Sequence, residues 1–152
     1  MKKKPRKFIA CLTLPAEVRQ VLLGRFRPSY QHVYCRQVTI AYNVDRHYQL
    51  PTDPQEIKIW GLHRGSRTEA LFCDVQGSTR RPDGRIFFIT LSVKEGVRPG
   101  DAGLVAPEEV SFLSETLAFS EYARLNPIAE QVPELRSQWL ATANDYASIF
   151  AE

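Results

Sequence analysis

Tyr34-Cys35-Arg36-Gln37-Val38-Thr39-Ile40-Ala41-Tyr42 and Phe87-Phe88-Ile89-Thr90-Leu91-Ser92-Val93 are the two stretches whose reading decides the fold. Both are dense in β-branched and aromatic residues, and each carries one small hydroxyl at the same place, which is the form of a buried strand. Aligned on Thr39 and Thr90 they read Gln-Val-Thr-Ile and Phe-Ile-Thr-Leu, and this echo is the chain's one internal repetition. Strand side chains alternate between faces, so Gln37 shares a face with Thr39, and Phe88 with Thr90.

Before the first stretch, residues 8–14 (FIACLTL) read as a buried strand. Pro15 then opens a helix, with Glu17 favourable at its positive end and Val18, Val21, Leu22 and Phe26 on one face. Pro28-Ser29 ends that helix, and the first motif strand follows over about residues 33–43. Residues 45–55, with two prolines, form a loop. Residues 56–62 alternate as a half-buried strand does, and 66–75 form its hairpin partner. A polar turn over 77–85, built on Asp83-Gly84, leads to the second motif strand at 86–93 and a glycine-rich loop at 96–103.

Beyond that loop the spacing predicts helices. Pro107 and Glu108-Glu109 start one, with Val110, Leu113, Leu117 and Leu125 on its inner face, and Asn126-Pro127 breaks it. Pro133 opens a second, whose stripe of Leu135, Trp139, Ala143, Tyr146 and Phe150 suits core packing or a partner's groove. A strand, a helix, strands and then helices predict an α+β domain. The expected organisation is a basic flexible arm (1–7), a body (8–105) and an acidic C-terminal helical pair (106–152) packed on the body or extending it.

At 152 residues, with 43% apolar and 24% charged residues, the chain has the size and balance of one soluble globular domain. Its apolar runs are too short for a membrane span, and residues 8–14 are too short and too strand-like for a signal peptide's core, so a cytoplasmic location is expected. Charge is uneven. Residues 1–105 hold 18 Lys/Arg and 9 Asp/Glu, a net of +9, whereas 106–152 hold 2 and 8, a net of −6. The basic body suits phosphate-bearing partners, and the acidic end suits either packing on that body or a protein partner. Cys11, Cys35 and Cys73 lie in apolar segments as buried thiols, and with His32, His47 and His63 they show no metal-ligand spacing. No metal or cofactor is expected.

Cleaving a phosphodiester ring needs a base for the attacking water and an acid for the leaving oxygen. Two imidazoles suit this at neutral pH, and a hydroxyl two residues along the same strand aims at the same point. By their motif residues, residues 8–105 resemble the 2H phosphoesterase superfamily, whose reaction has this form. The likeness is greatest to its small RNA-repair type, akin to the cyclic phosphodiesterase part of tRNA ligases. It is carried by Cys35-Arg36-Gln37-Val38-Thr39-Ile40, by Phe88-Ile89-Thr90-Leu91-Ser92-Val93 and by Gly96-Val97-Arg98-Pro99. The resemblance implies antiparallel sheets with packed helices, and two motif strands side by side around a phosphate.

Both catalytic histidine positions of that family are replaced, by Gln37 and Phe88. Glutamine hydrogen-bonds but cannot shuttle protons at physiological pH, and phenylalanine does neither. His32 lies five residues before Gln37, on the other strand face. No catalytic residue is therefore expected. What the resemblance still implies is a binding cleft for a cyclic or oligomeric nucleotide or an RNA end. Gln37, Thr39 and Thr90 would hold a phosphate or base edge, Phe88 would stack on a base, and Arg36, Lys94 and Arg98 would supply charge. Arg80 and Arg81 would add backbone contacts. The alternatives are a divergent RNA 2′,3′-cyclic phosphodiesterase and a protein-interaction module with a vestigial cleft. The loop at 96–103 lacks the ending of a P-loop, and Gly100-Asp101-Ala102-Gly103 departs from the family's serine and asparagine.

Overall fold

The structure is a computed structural model that describes residues 7–141. In chain order its elements are β1 (Phe8–Thr13), α1 (Ala16–Arg25), β2 (His32–Val33), β3 (Gln37–Val44), β4 (Gln55–Arg64), β5 (Thr68–Val75), β6 (Phe88–Val93), β7 (Ser111–Glu121), β8 (Ala123–Pro127) and β9 (Glu134–Leu135). Short 3-10 turns fall at Pro99–Gly103, Pro107–Glu109 and Ile128–Glu130, and a helix begins at residue 136. The strands form two antiparallel sheets, one of three strands in the order β3-β1-β8 and one of six in the order β7-β4-β5-β6-β2-β9. The α+β class is as the element order predicts, and the sheets are antiparallel.

One core joins the sheets. Ala10, Leu12, Val38 and Ile40 from the small sheet meet Ile57, Ile59, Leu71, Ile89 and Leu91 from the large one. Leu22, Leu23 and Phe26 of α1 and Trp139 close it. The helix therefore buries Leu23, whereas Val21, expected on the inner face, is 57% exposed. Because strands alternate, filling the core with one face leaves Ile9, Gln37, Thr39, Phe88 and Thr90 on the other.

The first motif stretch is two strands rather than one. β2 pairs with β6 in the large sheet, and β3 pairs with β1 in the small sheet. Between them Cys35 takes φ 52°, in the left-handed region that costs a non-glycine residue. Backbone bonds fix the crossover: Tyr34 N–H donates to Leu91 (3.0 Å), Cys35 N–H to Thr90 (2.7 Å), and Arg36 C=O accepts from Leu14 (2.7 Å). The Arg19 guanidinium clamps the same point with two bonds to the Tyr34 carbonyl, at 3.1 and 3.0 Å. This crossover carries Gln37 and Thr39 into one sheet while Phe88 and Thr90 stay in the other.

The first of the two expected C-terminal helices is a correction. Residues 111–121 and 123–127 are strands, β7 on the edge of the large sheet and β8 on the edge of the small one. In the pairing with β4, Phe112 faces Gly61 and Leu117 faces Ile59, so residues 113–116 bulge against a single residue. The bulge separates Leu113 and Leu117 by four residues, a helical spacing carried by a strand. The last helix is described only to residue 141. Its Trp139 is buried as expected, Leu135 lies before it in β9 and is exposed, and Ala143, Tyr146 and Phe150 lie outside the described residues.

Candidate functional site

A cleft of about 540 Å³ is lined by residues of both sheets: Ile9, Gln37, Thr39 and Tyr42 on one side, Phe88 and Thr90 on the other. It lies within the range of ~300–1,000 Å³ usual for small-molecule sites. Tyr34 and Arg36 from the crossover, Arg81 and Arg85 from the turn before β6, and Arg98 to Asp101 from the loop after it also line it, with Leu104, Ile128 and Gln131. Four arginines and one acidic residue, Asp101, thus line the cleft.

Of the expected site residues, Arg36, Gln37, Thr39, Phe88, Thr90 and Arg98 line this cleft. Lys94 does not. The cleft-side face of β6 ends at Thr90, because Ser92 is buried under the link after α1 and tied to Glu69 and the Tyr30 N–H. Lys94 emerges beyond that barrier, with its ammonium 5.6 Å from the centre of the Tyr30 ring.

The Gln37 and Thr39 side chains have no hydrogen-bond partner among the described residues and are half-buried, so their polar groups are available. Thr90 is already committed: its hydroxyl donates to the Pro99 carbonyl at 2.8 Å, leaving it to accept. Phe88 lines the floor but is 6% exposed. A Cβ on Gly103 would lie 2.3 Å from its ring, Phe72 packs at 6.4 Å between centroids, and the Arg85 guanidinium lies 5.5 Å from the ring centre. The ring therefore has no free face for a base, contrary to the stacking role expected of it. The accessible aromatics are Tyr42, which is exposed, and half-buried Tyr34, whose hydroxyl pKa is raised by burial against the opposing pull of Arg36.

Arg81 and Arg85 carry more of the site than the sequence suggested. Arg81 is buried and paired twice with Asp83, whose pKa this pairing lowers. That local pair folds the turn so that Arg85 reaches the cleft, donating to the Gly100 carbonyl at 3.0 Å while its buried Nε has no partner among the described residues. An Arg-x-Asp-Gly turn just before a motif strand is the sequence signal for this arrangement. Arg80, by contrast, is exposed and spent on the Gly84 carbonyl at 2.8 Å.

The histidines lie elsewhere. His32 sits in β2, His47 is exposed on a loop, and His63 Nδ1 is 3.1 Å from the Glu109 carbonyl. Cys11, Cys35 and Cys73 are buried free thiols, and burial raises each pKa, that of Cys35 to about 12. They are protonated and shielded, so none is a nucleophile. Among the described residues no group of His, Cys, Asp and Glu is placed to hold a metal ion, and no helix is long and apolar enough to cross a membrane. The cleft offers arginines on both walls and a free hydroxyl, that of Thr39, on one, suited to holding an anion. Comparison with protein-family models, curated proteins and solved structures finds no match.

Proposed function

We propose that this chain is a 2H phosphoesterase-like protein that binds a nucleotide or an RNA end and does not turn it over. One observation carries the reading: Thr39 and Thr90, the echoed hydroxyls of the two motif stretches, line one arginine-rich cleft from two different sheets. Thr39, Gln37 and Arg36 donate to a phosphate, and Arg85 and Arg98 neutralise it from the opposite wall. Tyr34 and Tyr42, rather than Phe88, offer ring surface to a base. The family's proton carriers are missing, because Gln37 and Phe88 stand where its reaction needs imidazoles and the histidines lie outside the cleft. Such a protein suits a sensor, a sequestering sponge or a non-catalytic subunit.

The test is incubation with 2′,3′-cyclic mononucleotides, cyclic oligonucleotides and short RNAs ending in cyclic phosphate, with mass spectrometry of the retained and free fractions. A nucleotide recovered intact from the protein, and held about tenfold less tightly by Thr39→Ala through loss of ~1.4 kcal/mol, is the expected result. Converted nucleotide in the free fraction would make the protein a divergent phosphodiesterase. No retention of any of them would leave the cleft vestigial and point to a protein partner.

A further inference from the structure

We propose that Asp101 makes the cleft selective for guanine; this rests on the nucleotide-binding reading above. Asp101 is the one carboxylate among the described residues that line the cleft. An ionised carboxylate accepts hydrogen bonds only, and it repels phosphate, so it must meet the part of a ligand that donates.

Its position is built. The Pro99 carbonyl accepts from Thr90 Oγ1 at 2.8 Å, the Gly100 carbonyl accepts from Arg85 Nη2 at 3.0 Å, and Asp101 N–H donates to the Arg98 carbonyl at 3.1 Å. Two anchors, from β6 and from the turn before it, thus hold the two residues just before Asp101. Its carboxylate is not consumed by them. The nearest cation, Arg98, is 3.8 Å away and its side chain is 86% exposed, too long for a hydrogen bond and too solvated to hold the group firmly. The Asp101 side chain is 38% exposed, open enough to reach a ligand.

Two carboxylate oxygens match two adjacent donors. On its Watson–Crick edge guanine presents N1–H beside the N2 amino group. Adenine and cytosine present one amino group beside an acceptor nitrogen, and uracil presents one N–H between two carbonyls. Only guanine satisfies both oxygens at once, while each other base sets an acceptor against one of them.

The experiment is calorimetric titration with guanosine, inosine, adenosine, cytidine and uridine 2′,3′-cyclic monophosphates. Guanosine should bind tightest, by roughly tenfold or more over adenosine, cytidine and uridine. Inosine, which keeps N1–H but lacks the amino group, should fall between. The near-isosteric Asp101→Asn should lose the guanine preference and leave the affinity for the others unchanged or higher. Equal affinity of the natural protein for all five would overturn the assignment and leave nucleotide binding standing. A guanine preference that survives Asp101→Asn would overturn it too, because another group would then read the base. No binding of any of the five would overturn both this inference and the reading beneath it.

Discussion

Phe88 shows how one side chain closes part of a cleft. An imidazole on this strand face would need open space and a proton path; a phenyl ring instead joins the small core of Ala70, Phe72, Ala102 and Val110, with Gly103 against it. A methyl at residue 103 has nowhere to go, so Gly103→Ala should destabilise the fold by about 1–3 kcal/mol, read as a lower urea midpoint. The residues that alternation governs were legible: Gln37, Thr39, Phe88 and Thr90 lie on one side of their strands because Val38, Ile40, Ile89 and Leu91 fill the core. Arg85 was not, because a turn arginine has the same sequence appearance whether it is solvated or folded inward. The thiols make a second prediction at this scale. With burial raising all three pKa values, the native protein should not react with a thiol reagent at about pH 8. Once unfolded in urea, all three should react.

The elements around the cleft are held by buried polar groups. Glu69 in β5 is buried, accepting from the Ser29 N–H at 2.7 Å, the Ser92 hydroxyl at 2.6 Å and the Arg64 guanidinium. It ties the link after α1 to β6. Glu69→Ala leaves those donors unmatched and should cost about 2–4 kcal/mol in chemical unfolding. The turn before β6 depends on pH. Asp83 has its pKa lowered in the fold, chiefly by Arg81, so its contribution is complete above the ordinary aspartate value of 3.8. It is lost as pH falls through the lowered value. Urea midpoints at about pH 6 and about pH 3 should therefore differ less in Asp83→Asn than in the natural protein. Asp83 is partly exposed and screened, so the difference should be small. Most elements up to β6 were legible from alternation and turn residues, whereas β7 was not. Its bulge at 113–116 imposes helical spacing on a strand, and pairing with β4, which no local pattern encodes, decides the outcome. The break at Cys35 was hidden likewise, since a cysteine does not announce a positive φ as glycine does.

At the scale of the molecule, the chain crosses between sheets so that the two halves of one sequence echo face the same space. The charge asymmetry read from the sequence concentrates usefully here: arginines from the crossover, the turn and the loop converge on the cleft although they are far apart in the chain. Phosphate held this way should release counterions, so the affinity for a cyclic nucleotide should fall as salt rises, with a slope set by the phosphates engaged. Binding without turnover is tested most directly by phosphorus NMR of guanosine 2′,3′-cyclic monophosphate mixed with stoichiometric protein and followed over days. The cyclic phosphate resonance should shift or broaden on mixing and then persist, with no new monophosphate signal. A growing monophosphate resonance would contradict the proposed lack of turnover, and an unperturbed cyclic resonance would contradict the proposed binding.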